Sequence, residues 1–175
     1  IRVSYAPWIR NLKGRGVYNA ALGAVDYRTG QIMAYVGSGS YYERPRGRKF
    51  DPQFDVLGKG WRQPGSAFKP VNYLTGIEDH TLTAASLFMD VVTDFGGRYI
   101  PGDADLRERG PLRLRQAIQL SLNIPAVQML HLVGIEKFQE FATRVGYTTF
   151  GDRSRLGLSL VLGGAEVKLL DAWKE

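Results

Sequence analysis

Arg62-Gln63-Pro64-Gly65-Ser66-Ala67-Phe68-Lys69-Pro70 is the stretch on which both fold and chemistry turn. Pro64-Gly65 ends an irregular segment, and Ser66–Gly76 then reads as the start of a helix, with Pro70 early enough that its missing N–H costs little. Residues i and i+3 of a helix share a face, so the Ser66 hydroxyl and the Lys69 amine come within reach of each other. A free serine is a poor nucleophile and needs an adjacent base. A lysine serves as that base only while neutral, a state that burial and nearby positive charge favour. At the opening of a helix, the dipole and free N–H groups also stabilise negative charge, and the Ser66 N–H is available to an oxyanion. By itself Ser-x-x-Lys is a weak signal, and its bland explanation is an N-cap serine with a solvated lysine.

A second candidate lies 55 residues downstream. Pro111–Leu122 reads as a helix with Leu114, Ile118 and Ser121 on one face. Asn123-Ile124-Pro125 breaks it, and Pro125 opens another helix that runs to about Val133 and stops at Gly134. Ser121-Leu122-Asn123 therefore falls on a turn between helices. A hydroxyl and a carboxamide there can project side by side into a cleft. The plainer role for Asn123 is to cap the second helix.

Around these two motifs the chain organises itself simply. Residues 1–19 form a lead-in segment around Trp8 and Tyr18. Ala20–Tyr27 and Gln31–Val36 are short apolar runs joined by Arg28-Thr29-Gly30, a hairpin signal. The runs are continuous rather than alternating, which predicts burial on both faces. Gly37–Gly65 is rich in Gly, Pro, Tyr and Arg and reads as a long irregular excursion. Residues 78–110 are mixed, with turn signals at Asp94–Gly97 and Pro101–Asp105. Ile135–Val145 is a helix with Ile135, Phe138, Phe141 and Val145 inward and Gly146 as its stop. Leu156–Leu162 is apolar and open to helix or strand. Ala165–Glu175 begins a final helix.

Composition narrows the function classes. Apolar residues are 44% of the chain, enough for a core, and no apolar run reaches the roughly 18 residues that span a bilayer. With no cysteine there is no disulfide, thiolate nucleophile or zinc–thiolate site. His80 and His131 stand alone, without ligand spacing. The net charge is +6, densest over residues 38–63, where Arg44, Arg46, Arg48, Lys49, Lys59 and Arg62 face Glu43, Asp51 and Asp55. That stretch suits anionic wall polymers or headgroups, or is simply a solvated loop. No zinc-finger, RNA-recognition or helix-turn-helix signature accompanies it, so nucleic acid is not an expected partner.

The nine-residue string resembles the active-serine motif of the penicillin-binding proteins, and in particular the transpeptidase domain of the bifunctional class A type. Ser121-Leu122-Asn123 resembles the family's S-x-N turn. Asp26-Tyr27-Arg28-Thr29-Gly30 resembles the turn of its first hairpin, and Gly163-Gly164-Ala165-Glu166-Val167 the segment before its third motif. The likeness covers roughly residues 20–175. It implies the α/β (α+β) sandwich of the β-lactamase/transpeptidase-like fold, an antiparallel sheet flanked by helices. It implies Ser66 as nucleophile, Lys69 as proton acceptor, Ser121 as proton relay and Asn123 as substrate-amide ligand, with no cofactor or metal. The expected activity is D,D-transpeptidation of peptidoglycan stem peptides, with β-lactams as mimics of the donor. The expected location is the extracytoplasmic face of the bacterial cytoplasmic membrane, with a glycosyltransferase domain and a membrane anchor in the parent.

Two departures qualify the resemblance. The family's third motif, K-[ST]-G, lines the cleft and supplies an oxyanion N–H, and it occurs nowhere in this chain. It is expected beyond Glu175, so that 20–175 is the front and helical part of a domain whose stability depends on the strands that follow. The glutamate of class A β-lactamases, in an E-x-x-[LI]-N context, is missing as well: Glu136, Glu140, Glu166 and Glu175 all lack it. That favours an amine acceptor over water. A D,D-carboxypeptidase or β-lactam sensor of the same fold, and a non-catalytic wall- or membrane-binding module using the basic stretch, are the competing readings.

Overall fold

The computed structural model describes residues 11–39, 41–44, 51–148, 150 and 156–171. The chain divides into two compact units, one of residues 1–62 with 168–175 and one of residues 63–167.

In the first unit, β1 (Leu22–Val25) pairs antiparallel with β2 (Ile32–Val36), with Leu22 opposite Val36 and a bulge at Ala24/Val25. The connecting turn forms as its residues dictate. The Asp26 carboxylate accepts the Arg28 N–H at 2.8 Å, the Asp26 carbonyl accepts the Gly30 N–H at 2.8 Å, and Gly30 takes φ 71°. Burial on both faces does not hold. Ile32, Met33 and Tyr35 are 53%, 69% and 44% exposed. Among the described residues the sheet has two strands only, a marginal unit by itself.

The irregular excursion is tied down near its start by Asn19, whose Oδ1 accepts the Gly39 N–H at 2.7 Å, and further on by Asp55. Asp55 Oδ1 accepts the N–H groups of Leu57 and Gly58, both at 3.1 Å, and Oδ2 accepts the Tyr35 hydroxyl at 2.6 Å. That hydroxyl, donating to the carboxylate, holds the Asp55 carboxyl below its ordinary range. A short strand, β3 (Trp61–Arg62), follows. Residues 1–10 of the lead-in segment, and Arg46, Arg48 and Lys49 of the basic stretch, lie outside the described residues. The final helix expected over 165–175 is not formed as far as residue 171. Val167–Lys168 is extended instead (β6), and the Lys168 ammonium lies 5.7 Å from the Trp61 ring centroid. Residues 172–175 lie outside the described residues.

The second unit is built on helix α1 (Phe68–Glu78), which packs against α3 (Asn123–Val133) and α4 (Ile135–Arg144). Phe68 is fully buried, edge-on to Phe138 at 5.7 Å and to Tyr147 at 4.8 Å between centroids. Such aromatic contacts add about 0.5–1.5 kcal/mol each beyond area burial. α3 is apolar nearly all round: Ile124, Pro125, Ala126, Val127, Met129, Leu130 and Val133 are all buried, and Gly134 (φ 92°) ends it as its position suggested. In α4, Phe138, Gln139 and Ala142 are buried, while Ile135, Phe141 and Val145 are half-buried.

Two elements differ from the sequence expectation. Gly110–Arg113 is a strand, β5, antiparallel to β4 (Leu87–Asp90) with Asp90 opposite Gly110. The helix starts only at Leu114 (α2, Leu114–Gln119), where the Gln116 side chain accepts the Arg113 N–H at 3.0 Å. Its buried face is Leu114 and Ala117, whereas Ile118 is 41% exposed. The Leu112/Leu114 alternation belongs to a strand running into a helix, which helical spacing alone hid.

Leu158–Leu162 settles as a 3-10 turn that buries Leu160 and Val161 and ends at Gly163, φ 93°. A Cβ on Gly163 would lie 2.5 Å from the Gly65 nitrogen and 2.6 Å from its Cα. This glycine therefore lets one backbone turn press against the turn that carries Ser66. Gly163→Ala is expected to destabilise the protein by about 2–4 kcal/mol, from left-handed strain plus the clash. Gly134→Ala, at φ 92° and ψ 150° where essentially only glycine sits but with nothing within 4 Å of its Cβ, is expected to cost about 1–3 kcal/mol, from backbone strain alone. Urea melts of the two variants check the difference.

Candidate active site

Ser66 sits in a 3-10 turn, Gly65–Ala67, one step before α1 rather than in its first turn. Gly65 enters at φ 58°, and the Phe68 N–H closes the turn on the Gly65 and Ser66 carbonyls. The Ser66 side chain is exposed and, among the described residues, makes no hydrogen bond. Lys69, in the first turn of α1, is 2% exposed. Pro70 follows it without cost to the helix, because first-turn N–H groups have no intrahelical acceptor.

The Lys69 amine spends its hydrogen bonds on the Ser121–Asn123 turn. Nζ donates to the Ser121 carbonyl at 2.5 Å, to Asn123 Oδ1 at 2.7 Å, and lies 3.3 Å from Ser121 Oγ. The Ser66 hydroxyl is not among its partners. Burial lowers the Lys69 pKa, and the Asp103 carboxylate works against that shift.

Ser121 lies past the end of α2, at φ 52°. A non-glycine residue in this region is uncommon and costs of order 1 kcal/mol or more. The strain is overcome by Leu122, buried to 3%, whose N–H donates to the Ala117 carbonyl at 3.0 Å. Leu122 is the N-cap residue of α3, so Asn123 is the first helical residue and not the cap. The capping acceptor comes from elsewhere in the chain. Asp103 Oδ1 accepts the Asn123 N–H in a short bond and the Ile124 N–H at 3.3 Å. The neighbouring Gly102 carbonyl accepts Asn123 Nδ2 at 2.7 Å.

Asp103 belongs to a buried acidic cluster that sequence reading missed. Asp90 is fully buried and Asp103 is 3% exposed, and the Arg109 guanidinium bridges them at 3.3 Å and 3.7 Å while pairing with Asp105 at 2.6 Å. Burial, reinforced by the Asp103 carboxylate, pushes the Asp90 carboxyl up to about 6. Tyr73, 1% exposed, has its hydroxyl raised by burial and by the same two carboxylates. Only a turn signal over Pro101–Asp105 hinted at this segment. A cap supplied from 20 residues away leaves no local signature. His131, one of the two lone histidines, lies edge-on to Phe95 at 5.8 Å.

The family model described as the penicillin binding protein transpeptidase domain matches residues 20–168, and the chain belongs to that family. It is 33% identical over 165 residues to penicillin-binding protein 1C of Escherichia coli, covering 93% of this chain and 21% of that protein. It is 36% identical over 153 residues to penicillin-binding protein 1A of Aquifex aeolicus, covering 84% and 19%. Among solved structures, penicillin-binding protein 1A from Haemophilus influenzae superposes with a TM-score of 0.70 at 29% identity, over 87% of this chain and 22% of that one. PonA1 from Mycobacterium tuberculosis, solved in complex with penicillin V, superposes at 0.73 over 95% and 44%; at 16% identity it speaks for the fold alone. The chain thus spans about a fifth of the length of the curated relatives it matches. The fold is that of penicillin-binding transpeptidase domains, here in part.

Proposed function

We propose that this chain carries the acylating half of a peptidoglycan D,D-transpeptidase site. The observation that supports it most is the Lys69 amine: buried, one helical turn from Ser66, and bonded to both polar side chains of the Ser121–Asn123 turn. A neutral amine has two N–H donors and one lone pair. The two shortest contacts, to the Ser121 carbonyl and Asn123 Oδ1, use the donors. The third contact, 3.3 Å to Ser121 Oγ, is the long one, so the lone pair stays available to the Ser66 proton.

In this scheme Ser66 Oγ attacks the carbonyl carbon of the penultimate D-Ala of a stem peptide, and its proton passes to Lys69 Nζ. Ser121 Oγ relays a proton from Lys69 to the departing amine as the C–N bond breaks and D-Ala leaves. An amine of a neighbouring stem then attacks the acyl-serine, returns a proton through the same groups, and releases Ser66. Asn123 holds the donor amide. A β-lactam acylates Ser66 by the same first step. No cofactor or metal enters the scheme. A K-[ST]-G strand beyond Glu175, a glycosyltransferase domain and membrane anchor elsewhere in the parent, and an extracytoplasmic location belong to the same proposal.

The test is product analysis with the full-length protein, a stem-pentapeptide donor and an amine acceptor. Cross-linked peptide with stoichiometric D-Ala release, blocked by penicillin, is expected. Release of D-Ala with hydrolysed donor alone would replace transpeptidation with carboxypeptidase action. Neither product, with no penicillin uptake, would favour a wall-binding module.

A further inference from the structure

Asn123 is held at both ends by two successive residues of one segment. Its backbone N–H and that of Ile124 end on Asp103 Oδ1, and its Nδ2 ends on the Gly102 carbonyl. With Nδ2 committed to a carbonyl, Oδ1 is the side-chain atom turned to Lys69, at 2.7 Å. The residue preceding Asn123 is a leucine, which has no side-chain acceptor, so the opening N–H groups of α3 depend on Asp103. Asp103 Oδ2 lies 3.7 Å from the Arg109 guanidinium, which also pairs with Asp90 and Asp105. The charged or titratable groups around it are Arg109, Asp90, Tyr73 and Lys69.

We infer that Asp103 is the positioning residue of this site: its carboxylate clamps the start of α3 and thereby sets the Asn123 carboxamide and the Ser121 hydroxyl against the Lys69 amine. The inference rests on the acyl-serine scheme above. Asp103 does two separable things. As an acceptor of two N–H groups it fixes geometry. As a negative charge it favours the protonated form of Lys69 and so opposes the effect of burial.

Isosteric and truncating variants separate the two. Asp103→Asn keeps an oxygen for the two N–H groups and loses the charge; Asp103→Ala loses both. The measurement is the rate of acylation of the full-length protein by a fluorescent penicillin, followed across the acid limb of its pH profile. Asp103→Ala is expected to slow acylation by about 10- to 100-fold at the plateau, the usual penalty for a misplaced reacting group. Asp103→Asn is expected to stay within about threefold of wild type there. In both, the acid limb moves to lower pH by a similar amount, since Lys69 loses its protons more readily without the neighbouring charge. Val133→Ala, a core truncation at the far end of the same helix, should lower the melting temperature and leave rate and limb unchanged.

An Asp103→Ala plateau rate within about threefold of wild type would overturn the inference, and if Asp103→Ala does not fold, an Asp103→Asn plateau rate lowered by about tenfold or more, with the acceptor oxygen kept, would overturn it as well. So would an Asp103→Ala rate loss that Val133→Ala reproduces at equal loss of stability. Ser66→Ala is run alongside. Labelling that survives in it overturns the acyl-serine scheme and this inference together; its loss, with an Asp103→Ala plateau rate near that of wild type, overturns this inference alone.

Discussion

Ser66→Ala is expected to abolish covalent penicillin labelling, with a fall in acylation rate of at least about 10⁴-fold, while leaving the melting temperature within a degree or two of wild type. The two halves of that result come from the same facts. Ser66 is exposed, its hydroxyl supports no hydrogen bond among the described residues, and it lies in a turn that Gly65 and the Phe68 N–H already close. Removing Oγ leaves no buried partner unsatisfied. The chemistry, by contrast, has no substitute, because without the hydroxyl there is no atom to form the acyl bond. Rapid-quench labelling and a thermal melt on the same preparation check both halves.

Lys69 is the reverse case, costly to both. Lys69→Ala is expected to slow acylation by about 10³- to 10⁴-fold, the size of a lost general base with a share of lost positioning. It is also expected to lower stability by about 2–4 kcal/mol, because the Ser121 carbonyl and Asn123 Oδ1 lose their donor. Lys69→Arg sharpens the test. A guanidinium keeps donors and charge but does not deprotonate at any working pH, so it cannot serve as base. Its rate should stay near that of the alanine variant. In the wild type, acylation should fall as pH drops through the lowered lysine pKa, because protonation removes the lone pair that accepts the Ser66 proton. The direction follows from burial, which favours the neutral form. A Lys69→Arg enzyme acylating at near wild-type rate would remove lysine from the base role.

Much of this was readable before any coordinates. The hairpin, α3 with its stop at Gly134, and α4 came from turn chemistry and apolar spacing that local sequence carries in full. The pairing of the two motifs, by contrast, was an expectation that rested on the resemblance of the nine-residue string and of Ser121-Leu122-Asn123 to the penicillin-binding proteins. What escaped was what depends on distant partners. Pro111–Arg113 looked helical because Leu114 and Ile118 have helical spacing, yet Leu112 pairs across to Phe88 and Ile118 turns outward. The apolar continuity of β2 suggested a doubly covered strand, but a cover is a property of the neighbours. Asp103 was invisible for the same reason. An aspartate 20 residues before a helix carries no mark of capping it, and the leucine at the cap position was the only local clue that an acceptor had to come from elsewhere.

The α2–α3 turn shows how the pieces cohere. Ser121 adopts a left-handed backbone, Leu122 buries, and Asn123 opens the helix under the Asp103 carboxylate. Each residue of the three therefore has a different structural task, and the outcome brings one hydroxyl and one carboxamide oxygen to a single buried amine. That concentration of polar groups on Lys69 is the observation that favours the proposed site over a chance Ser-x-x-Lys.

The most direct measurement is the site of the penicillin adduct. Full-length protein is saturated with penicillin, digested with trypsin, and its adducted peptide sequenced by mass spectrometry. The expected result is one adduct per chain, on the peptide Gln63–Arg98, with the modified residue Ser66. An adduct on Ser121 or elsewhere, or none at saturating penicillin, would contradict the assignment of Ser66 as nucleophile.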